Sequence, residues 1–494
     1  IYPLAVELKP FKDKVGGHTA IFRFSHRAIC KALVNRENKW YEAVEMLHPE
    51  LLHFMPKYIG VLNSSFSKIN ELTKRNSASL KLNENENIEL PPQVVLDDNK
   101  HIIPDSIWKK FSFQSTSSPE TDPNSIHSKD STHSSLNSGT TNKFPGSNSS
   151  SNPKDSTILQ CNNKLQNMIL NSLTGSTSVN TELQELVIRE VFAPIKKHAE
   201  NVKEQMSINF EENKLESHNL RNNIQKHSYH LKQITKFEKF ILLEDLTIGM
   251  KRPCVLDLKM GTRQYGIESN DKKQKSQRKK CYYTTSRKLG VRICGMQNWD
   301  KKNHRFIKRD KYFGRRIKKG EEFLRILIQF LYDGESQRSI LKHIPKIVNK
   351  LNELKKIFSK LKGYRMYGSS LLLMYDGSNN NEPEYQDKEG DEKDEILVKI
   401  IDFSKCLTEN ENLIDTLKKY KCKPRFPFEV DKGYIRGINS LMFYFKLMFK
   451  KIVGEEYSDL SNEKMKMLMN QERFKKSLDF LDFFEEDTYE DEND

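Results

Sequence analysis

Residues 113–157 are dominated by Ser, Asn and Thr, with Pro and Gly mixed in, and this run limits what the rest of the chain can build. It carries too few apolar groups to offset the entropy of ordering its backbone, so it is expected to stay disordered. Any core must come from the sequence on either side. The wider stretch 64–181 reads as a mostly disordered insert, although two short apolar patches, Gln93 to Leu96 and Ile102 to Trp108, could dock locally. A second polar stretch covers 206–232. At 494 residues the chain is long enough for two or three domains' worth of core, but with 36% hydrophobic and 30% charged residues part of it remains outside.

The flanking sequence is patterned. His18 to Phe24 and Arg27 to Val34 read as two strands around a turn at Ser25-His26. A helix is expected over 36–48, with Trp40, Tyr41, Val44 and Leu47 on one face, then a third strand from Tyr58 to Leu62. Residues 182–205 are helical in pattern, with a kink expected at Pro194. From Phe240 the sequence turns compact. Strands are expected at 240–244, 254–258, 291–296, 370–375 and 396–402, and helices at 320–332, 338–361 and 438–453. Residues 377–394 form a polar, acidic loop and 485–494 an acidic tail. No internal repeat is visible. This order gives an α+β, two-lobed fold. The small lobe and hinge take 1–63 and 182–246, the insert interrupts that lobe, and the large lobe takes 247–484.

Net charge is +15, from 82 Lys and Arg against 67 Asp and Glu. A basic excess attracts nucleic acid, acidic lipid or polyphosphorylated small molecules. The seven cysteines, at 30, 161, 254, 281, 294, 406 and 422, include no C-x-x-C pair and fit a reducing compartment better than a disulfide framework. Residues 1–30 hold no signal-peptide core, and no stretch reaches the apolar length of a membrane span. The chain opens on Ile1 rather than Met, so a fragment or processed form is expected, and upstream targeting stays open.

The chemistry-bearing residues begin with Pro253-Cys254-Val255-Leu256-Asp257-Leu258-Lys259-Met260-Gly261. On a strand, side chains alternate, so Asp257 and Lys259 share a face. A carboxylate beside an ammonium suits phosphoryl transfer, and it equally makes a local ion pair in a buried strand. Lys31, within Ile29-Cys30-Lys31-Ala32-Leu33, could reach an anion with Glu37 or Glu42 orienting it, or could snorkel from a sheet edge. Phe240 to Leu243 ends in Glu244-Asp245-Leu246-Thr247, and backbone groups of Glu244 and Leu246 could meet a base at that strand end. Asp402 terminates the apolar Val398 to Ile401, where a carboxylate can hold a divalent cation or cap a helix. After Gly261 come Arg263 and a run of Lys and Arg between 272 and 288 without an acid. Such a run binds a dense anion, or is a solvated face or nuclear-localisation patch. On a helix Lys273, Gln277 and Lys280 would share one side. A second basic cluster runs from Lys308 to Lys319.

The pattern P-x-x-x-D-x-K-x-G resembles the signature of the inositol polyphosphate kinase family. Its extension through Gly261-Thr262-Arg263-Gln264-Tyr265-Gly266, with the run Leu289 to Gln297, resembles the inositol hexakisphosphate kinase branch. Ile401-Asp402-Phe403, Ser369-Ser370-Leu371-Leu372, Asp310 to Arg315 and Asp431 to Gly437 resemble further family elements. The resemblance covers residues 1–63 and roughly 182–453. It implies a kinase-like fold in which Lys31 meets ATP phosphates and Glu37, which follows Arg36, orients it. Phe240 to Thr247 joins the lobes. Asp257 lies near ribose or metal, Lys259 lies between the γ-phosphate and the attacking group, and Asp402 binds Mg²⁺. Arg263, Lys273, Gln277 and Lys280 are implied acceptor contacts, while Ser276 stands where some relatives carry a basic residue.

The expectation is therefore an ATP- and Mg²⁺-dependent inositol hexakisphosphate kinase, with Lys259 and Asp257 as catalytic residues. It would transfer the γ-phosphoryl to a phosphate of inositol hexakisphosphate, giving a diphosphoinositol polyphosphate. The alternative is an inositol polyphosphate multikinase acting on hydroxyls of lower inositol phosphates. The rival of another class is a basic nucleic-acid-binding protein, but no RNA-binding aromatic motif or zinc spacing is present. A monomer in cytoplasm and nucleus is expected, with the insert available to protein partners.

Overall fold

The computed structural model describes residues 5–11, 20–70, 88–89, 92–95, 97–104, 175–192, 232–378, 396–412, 417–459 and 461–479. The expectations for 113–157, 206–231, 379–394 and 485–494, and the kink at Pro194, lie outside the described residues.

The small lobe is an antiparallel sheet made of β1 (Ala5–Glu7), β2 (Lys9–Pro10), β3 (Ile21–Arg23), β4 (Ala28–Ala32), β5 (Tyr58–Asn70), β6 (Ile88–Glu89), β7 (Gln93–Val95) and β8 (Lys232–Glu244). Its order is β1-β7-β5-β8-β4-β3-β2, with β6 on β5. The boundary expected at residue 63 falls inside β5, which stays paired with β8 from Tyr58↔Leu243 to Asn70↔Lys232. Polar residues extend both strands because the ladder satisfies their backbone groups, a gain that hydrophobic patterning does not register. The ends of the insert also join this lobe. The patch at Gln93 forms β7, and Glu45 accepts hydrogen bonds from Thr177 Oγ1 at 2.7 Å and Ser178 N at 3.1 Å. Ala28, Cys30, Ile59, Leu62, Phe240 and Leu242 make the small-lobe core with Val187 and Ile188 of the helix Thr181–Phe192.

The large lobe is built on a second antiparallel sheet, with β9 (Pro253–Met260), β10 (Val291–Asp300), β11 (Arg305–Arg309), β12 (Ser370–Asp376) and β13 (Leu397–Ile401) in the order β11-β10-β9-β12-β13. β9 is central. Cys254, Leu256, Leu258 and Met260 are fully buried on one face, against the helices Glu321–Leu331, Ile344–Phe358 and Lys432–Val453. The helix expected over 338–361 breaks into Arg338–Leu341 and Ile344–Phe358. Pro345 lacks the N–H and its ring would clash with the carbonyl one turn back, so the helix restarts there. The helix expected from 438 begins at Lys432, because Asp431 Oδ1 accepts from Tyr434 N at 3.0 Å and caps it.

Close glycine contacts fix the C-terminal end of β9. Gly261 N donates to Gly290 O at 2.7 Å. Gly290 sits at φ 71°, and a Cβ there would lie 2.6 Å from Gly437 N and 2.8 Å from Gly433 O. Only glycine lets this turn and the helix Lys432–Val453 approach so closely.

Candidate active site

The opposite face of the large sheet looks into a cavity of about 410 Å³, lined by residues of both lobes. Alternation along β9 sends Val255, Asp257 and Lys259 to this face, in steps of about 7 Å. Across the ladders, Met374, Leu372 and Ser370 of β12 oppose them in turn, and Arg292 of β10 opposes Lys259. The result is a graded cleft. Ile21, Ile29, Leu243, Val255 and Met374 line it near the connecting segment Glu244 to Thr247. Lys280, Arg292, Lys311, Arg315 and Lys405 also line it and supply its cations.

The connecting segment is pinned. Asp245 is buried, accepts from Arg23 Nη2 at 3.1 Å and holds Thr247 N at 2.9 Å. Glu244 N donates to Lys57 O at 3.0 Å while its carboxylate accepts from Lys57 N at 2.7 Å. Of the two backbone groups of Glu244, the N–H is therefore taken, which leaves its carbonyl for a base.

Between the apolar lining and the cations runs a chain of charges across the lobes. Lys31 Nζ on β4 lies 2.8 Å from Glu37 Oε1, on the helix Asn35–Leu47, and 3.4 Å from Asp402 Oδ1. Lys259 Nζ lies 2.9 Å from Asp402 Oδ2 and donates to Gly368 O at 2.7 Å. Glu37 Oε1 also accepts from Phe403 N at 3.2 Å. Asp402 adopts a left-handed φ of 68°, which a non-glycine residue tolerates only when its surroundings enforce it. Here the surroundings are aromatic. Phe403 stacks on Trp40 at 5.2 Å and meets Tyr41 edge-on at 5.3 Å. Glu42, the other candidate partner for Lys31, instead accepts from Asn38 Nδ2 at 2.7 Å.

Charge states follow from this geometry. Burial raises the Asp402 carboxyl, but Lys259 and Lys31 prevail and hold it well below the usual carboxylate range. Burial would lower both lysines, and their acidic neighbours outweigh it, so each stays firmly protonated. Asp257 differs. It is buried, its Oδ1 has no hydrogen-bond partner, and burial pushes its pKa up despite Lys259. Burial, followed by neighbouring cations, lowers Lys280 and Lys405, and Asp402 offsets this only in part at Lys405.

A divalent cation fits these residues. Asp257 and Asp402 line one cleft and offer hard carboxylate oxygens, one of which, Asp257 Oδ1, is buried without a hydrogen-bond partner. Among the described residues no three His, Cys, Asp or Glu side chains group to enclose a metal, so its other ligands would be phosphate oxygens and water.

Of the residues singled out in the sequence, Lys31, Glu244, Leu246, Asp257, Lys259, Gln277, Lys280 and Asp402 line this cavity, and Glu37 stands behind Lys31. Gln277 and Lys280 lie on the helix Asp271–Tyr283, capped by Asn270. Lys273 is exposed on that helix and does not line the cavity, although its charge reaches Lys405. Arg263 does not line this cavity. It donates to Tyr265 O at 3.0 Å, Lys423 O at 3.1 Å and Cys422 O at 2.5 Å, and it stacks on Tyr265 and Tyr367. A guanidinium that satisfies three carbonyls is holding a loop. Arg292, Lys311, Arg315 and Lys405 are cleft residues that were not singled out individually. Arg292 could have been found from its register opposite Lys259, and Lys311 and Arg315 from the second basic cluster. Lys405 carries no separate signal, because the turn after Asp402 aims it.

A two-lobed fold with a Lys–Glu pair, a linking segment and an aspartate-ended strand around one cleft defines a kinase. The profile of the inositol polyphosphate kinase family matches residues 240–446. Inositol hexakisphosphate kinase 1 of Saccharomyces cerevisiae is 32% identical across 100% of this chain and 67% of its own length. An uncharacterised inositol polyphosphate kinase of Schizosaccharomyces pombe is 30% identical over 94% of this chain and 66% of its own. Rat inositol hexakisphosphate kinase 1 is 32% identical over 75% and 73%. The chain belongs to the inositol polyphosphate kinase family, in its inositol hexakisphosphate kinase branch, and it spans about two thirds of the length of the two yeast relatives. Among solved structures, the S. cerevisiae inositol phosphate multikinase in complex with ADP and Mn²⁺ aligns over 43% of this chain and 84% of its own, at 21% identity and a TM-score of 0.33.

Proposed function

We propose that this chain transfers the γ-phosphoryl of ATP to a phosphate of inositol hexakisphosphate, giving a diphosphoinositol polyphosphate and ADP. One observation carries the reading: the Lys31–Asp402–Lys259 chain lies in a cleft that has apolar walls beside the linking segment and a further lining of cations that includes Lys280, Arg292, Lys311, Arg315 and Lys405. An acceptor with many phosphates suits such a cluster better than a sparsely charged one.

In this reading the adenine lies against Ile29, Val255 and Met374, with the Glu244 carbonyl and the Leu246 N–H addressing its edge. Lys31, oriented by Glu37, would neutralise donor phosphates, and Asp402 and Asp257 are the residues that would hold Mg²⁺. When bound, that cation supplies charge neutralisation on the donor phosphates and fixes their orientation. An ionised acceptor phosphate oxygen forms the new bond to the γ-phosphorus. The bond from that phosphorus to its bridging oxygen breaks, and the electron pair leaves with ADP. No proton need be removed from the acceptor, so Asp257 is not required as a base. Lys259, held by Asp402 and Gly368, follows the charge on the transferring group. Gln277, Lys280, Arg292, Lys311 and Lys405 hold the acceptor.

The test is incubation of the purified chain with γ-labelled ATP, Mg²⁺ and a panel of inositol phosphates. Label should enter inositol hexakisphosphate as a pyrophosphate. Label confined to hydroxyls of less phosphorylated inositols would replace this reading with the multikinase one.

A further inference from the structure

A groove of about 1030 Å³ lies beside the helix Asp271–Tyr283 and adjoins the catalytic cleft, with Gln264 and Gln277 lining both. Arg278, Lys279, Arg287, Arg425, Lys432 and Arg436 face it, and no Asp or Glu lines it. Lys432 pairs with Glu429. Among the described residues the other five make no ion pair. These cations come from separate elements around one hollow: the helix Asp271–Tyr283, the short helix Thr285–Leu289, the segment before Phe426, and the helix Lys432–Val453. All are exposed, so none is needed for the core.

The groove is also pre-shaped. Arg287 lies over the Tyr282 ring at 4.8 Å, Arg278 over Tyr265 at 5.7 Å and Arg425 over Phe426 at 5.4 Å. Such stacking steadies a guanidinium plane and leaves edge N–H groups for paired contacts with phosphate. The cleft draws on lysines as well as arginines, whereas this groove is chiefly arginine. A nucleic-acid backbone presents single charges along a line, while these arginines close on one hollow from several sides, which suits a compact anion with several phosphates.

We propose that this groove is a second, non-catalytic binding site for a multiply phosphorylated small anion of the inositol polyphosphate class. The site stands on its own charge and geometry and does not depend on the reaction assigned to the cleft.

The test is equilibrium titration of the full chain with inositol hexakisphosphate as probe, without nucleotide and at moderate salt. Two sites per chain are expected. Arg287→Gln/Arg425→Gln/Arg436→Gln should weaken one of them about a hundredfold or more, as three charge-assisted contacts are lost. Turnover constants in the same variant should stay within about threefold. Lys259→Ala/Lys280→Ala should do the reverse, weakening cleft binding and sparing the groove. Arg425→Gln alone, measured alongside, gives the same answer on a smaller scale if the triple variant folds poorly. A single site in the unaltered chain, both sites surviving the triple variant, or turnover falling in step with binding would each overturn the proposal. So would a single-stranded oligonucleotide that occupies the groove more tightly than the probe. Absence of product with the groove site intact would instead remove the proposed function and leave this inference standing.

Discussion

Replacing Asp257 by asparagine should make the protein harder to unfold and nearly unable to turn over. The side chain sits mid-strand in β9, 5% exposed, with Oδ1 unpartnered. Burial is the largest influence on its carboxyl and raises its pKa, Lys259 opposes that, and Asp402 adds to it. The folded protein therefore keeps a proton on Asp257 at pH values where the unfolded chain has released it. The stability that this proton confers is fully present below the ordinary carboxylate range and is lost as pH rises through the folded value. Once ionised, ligand-free Asp257 is a buried carboxylate with one unpaired oxygen, at a cost of about 1–3 kcal/mol before the Lys259 attraction offsets part of it. Asparagine keeps the shape and removes the charge, so a net gain of about 1 kcal/mol is expected, or about 2–4 °C in Tm. Calorimetry without nucleotide or metal should find that gain near neutral pH and find it shrinking toward about pH 4. Turnover should fall about a hundredfold or more, because the carboxylate proposed to share the cation is gone. A variant less stable at neutral pH, or a stability difference indifferent to pH, would refute the reasoning and mean that pairing with Lys259 outweighs burial.

Lys259→Met should cut turnover about a thousandfold while substrate binding changes much less; activity within tenfold of the unaltered chain in a steady-state assay would remove it from the reaction. Gly437→Ala should lower stability by about 1–3 kcal/mol in denaturant unfolding, since a methyl group there meets the Gly290 carbonyl; an unchanged midpoint would mean the turn yields freely. Arg263→Ala should destabilise by about 2–4 kcal/mol through the lost carbonyl contacts, yet leave the acceptor KM within about threefold. A large rise in that KM with stability unchanged would return Arg263 to the acceptor site.

The local signals on the chain are enough to find the members of the charge chain, but not to pair them or to sort the cations. Asp257 and Lys259 are two residues apart on a strand, so a period-2 backbone alone puts them on one face. Apolar runs likewise located β4, β9, β12 and β13, because burying those runs is what makes them strands. The dense lysines and arginines of 263–288 look alike in sequence, and the fold divides them: Lys280 turns to the cleft, Arg278 and Lys279 turn to the groove, Gln277 borders both, and Arg263 lines the groove while holding backbone carbonyls.

Local patterns along the chain carry the α+β class, the acid-base strand, the aspartate that follows β13 and the dense cations after Gly261. These follow from side-chain periodicity and from charges that have few places to go. Tertiary structure alone decided which lysine meets which carboxylate across 143 and 371 residues of chain, and that Arg292 and Lys405 join them. Those partnerships depend on strand register, on the left-handed turn at Asp402 and on two glycines that let a helix lie close. Such long-range geometry is set by the closing of the two sheets on each other, and no local pattern encodes it.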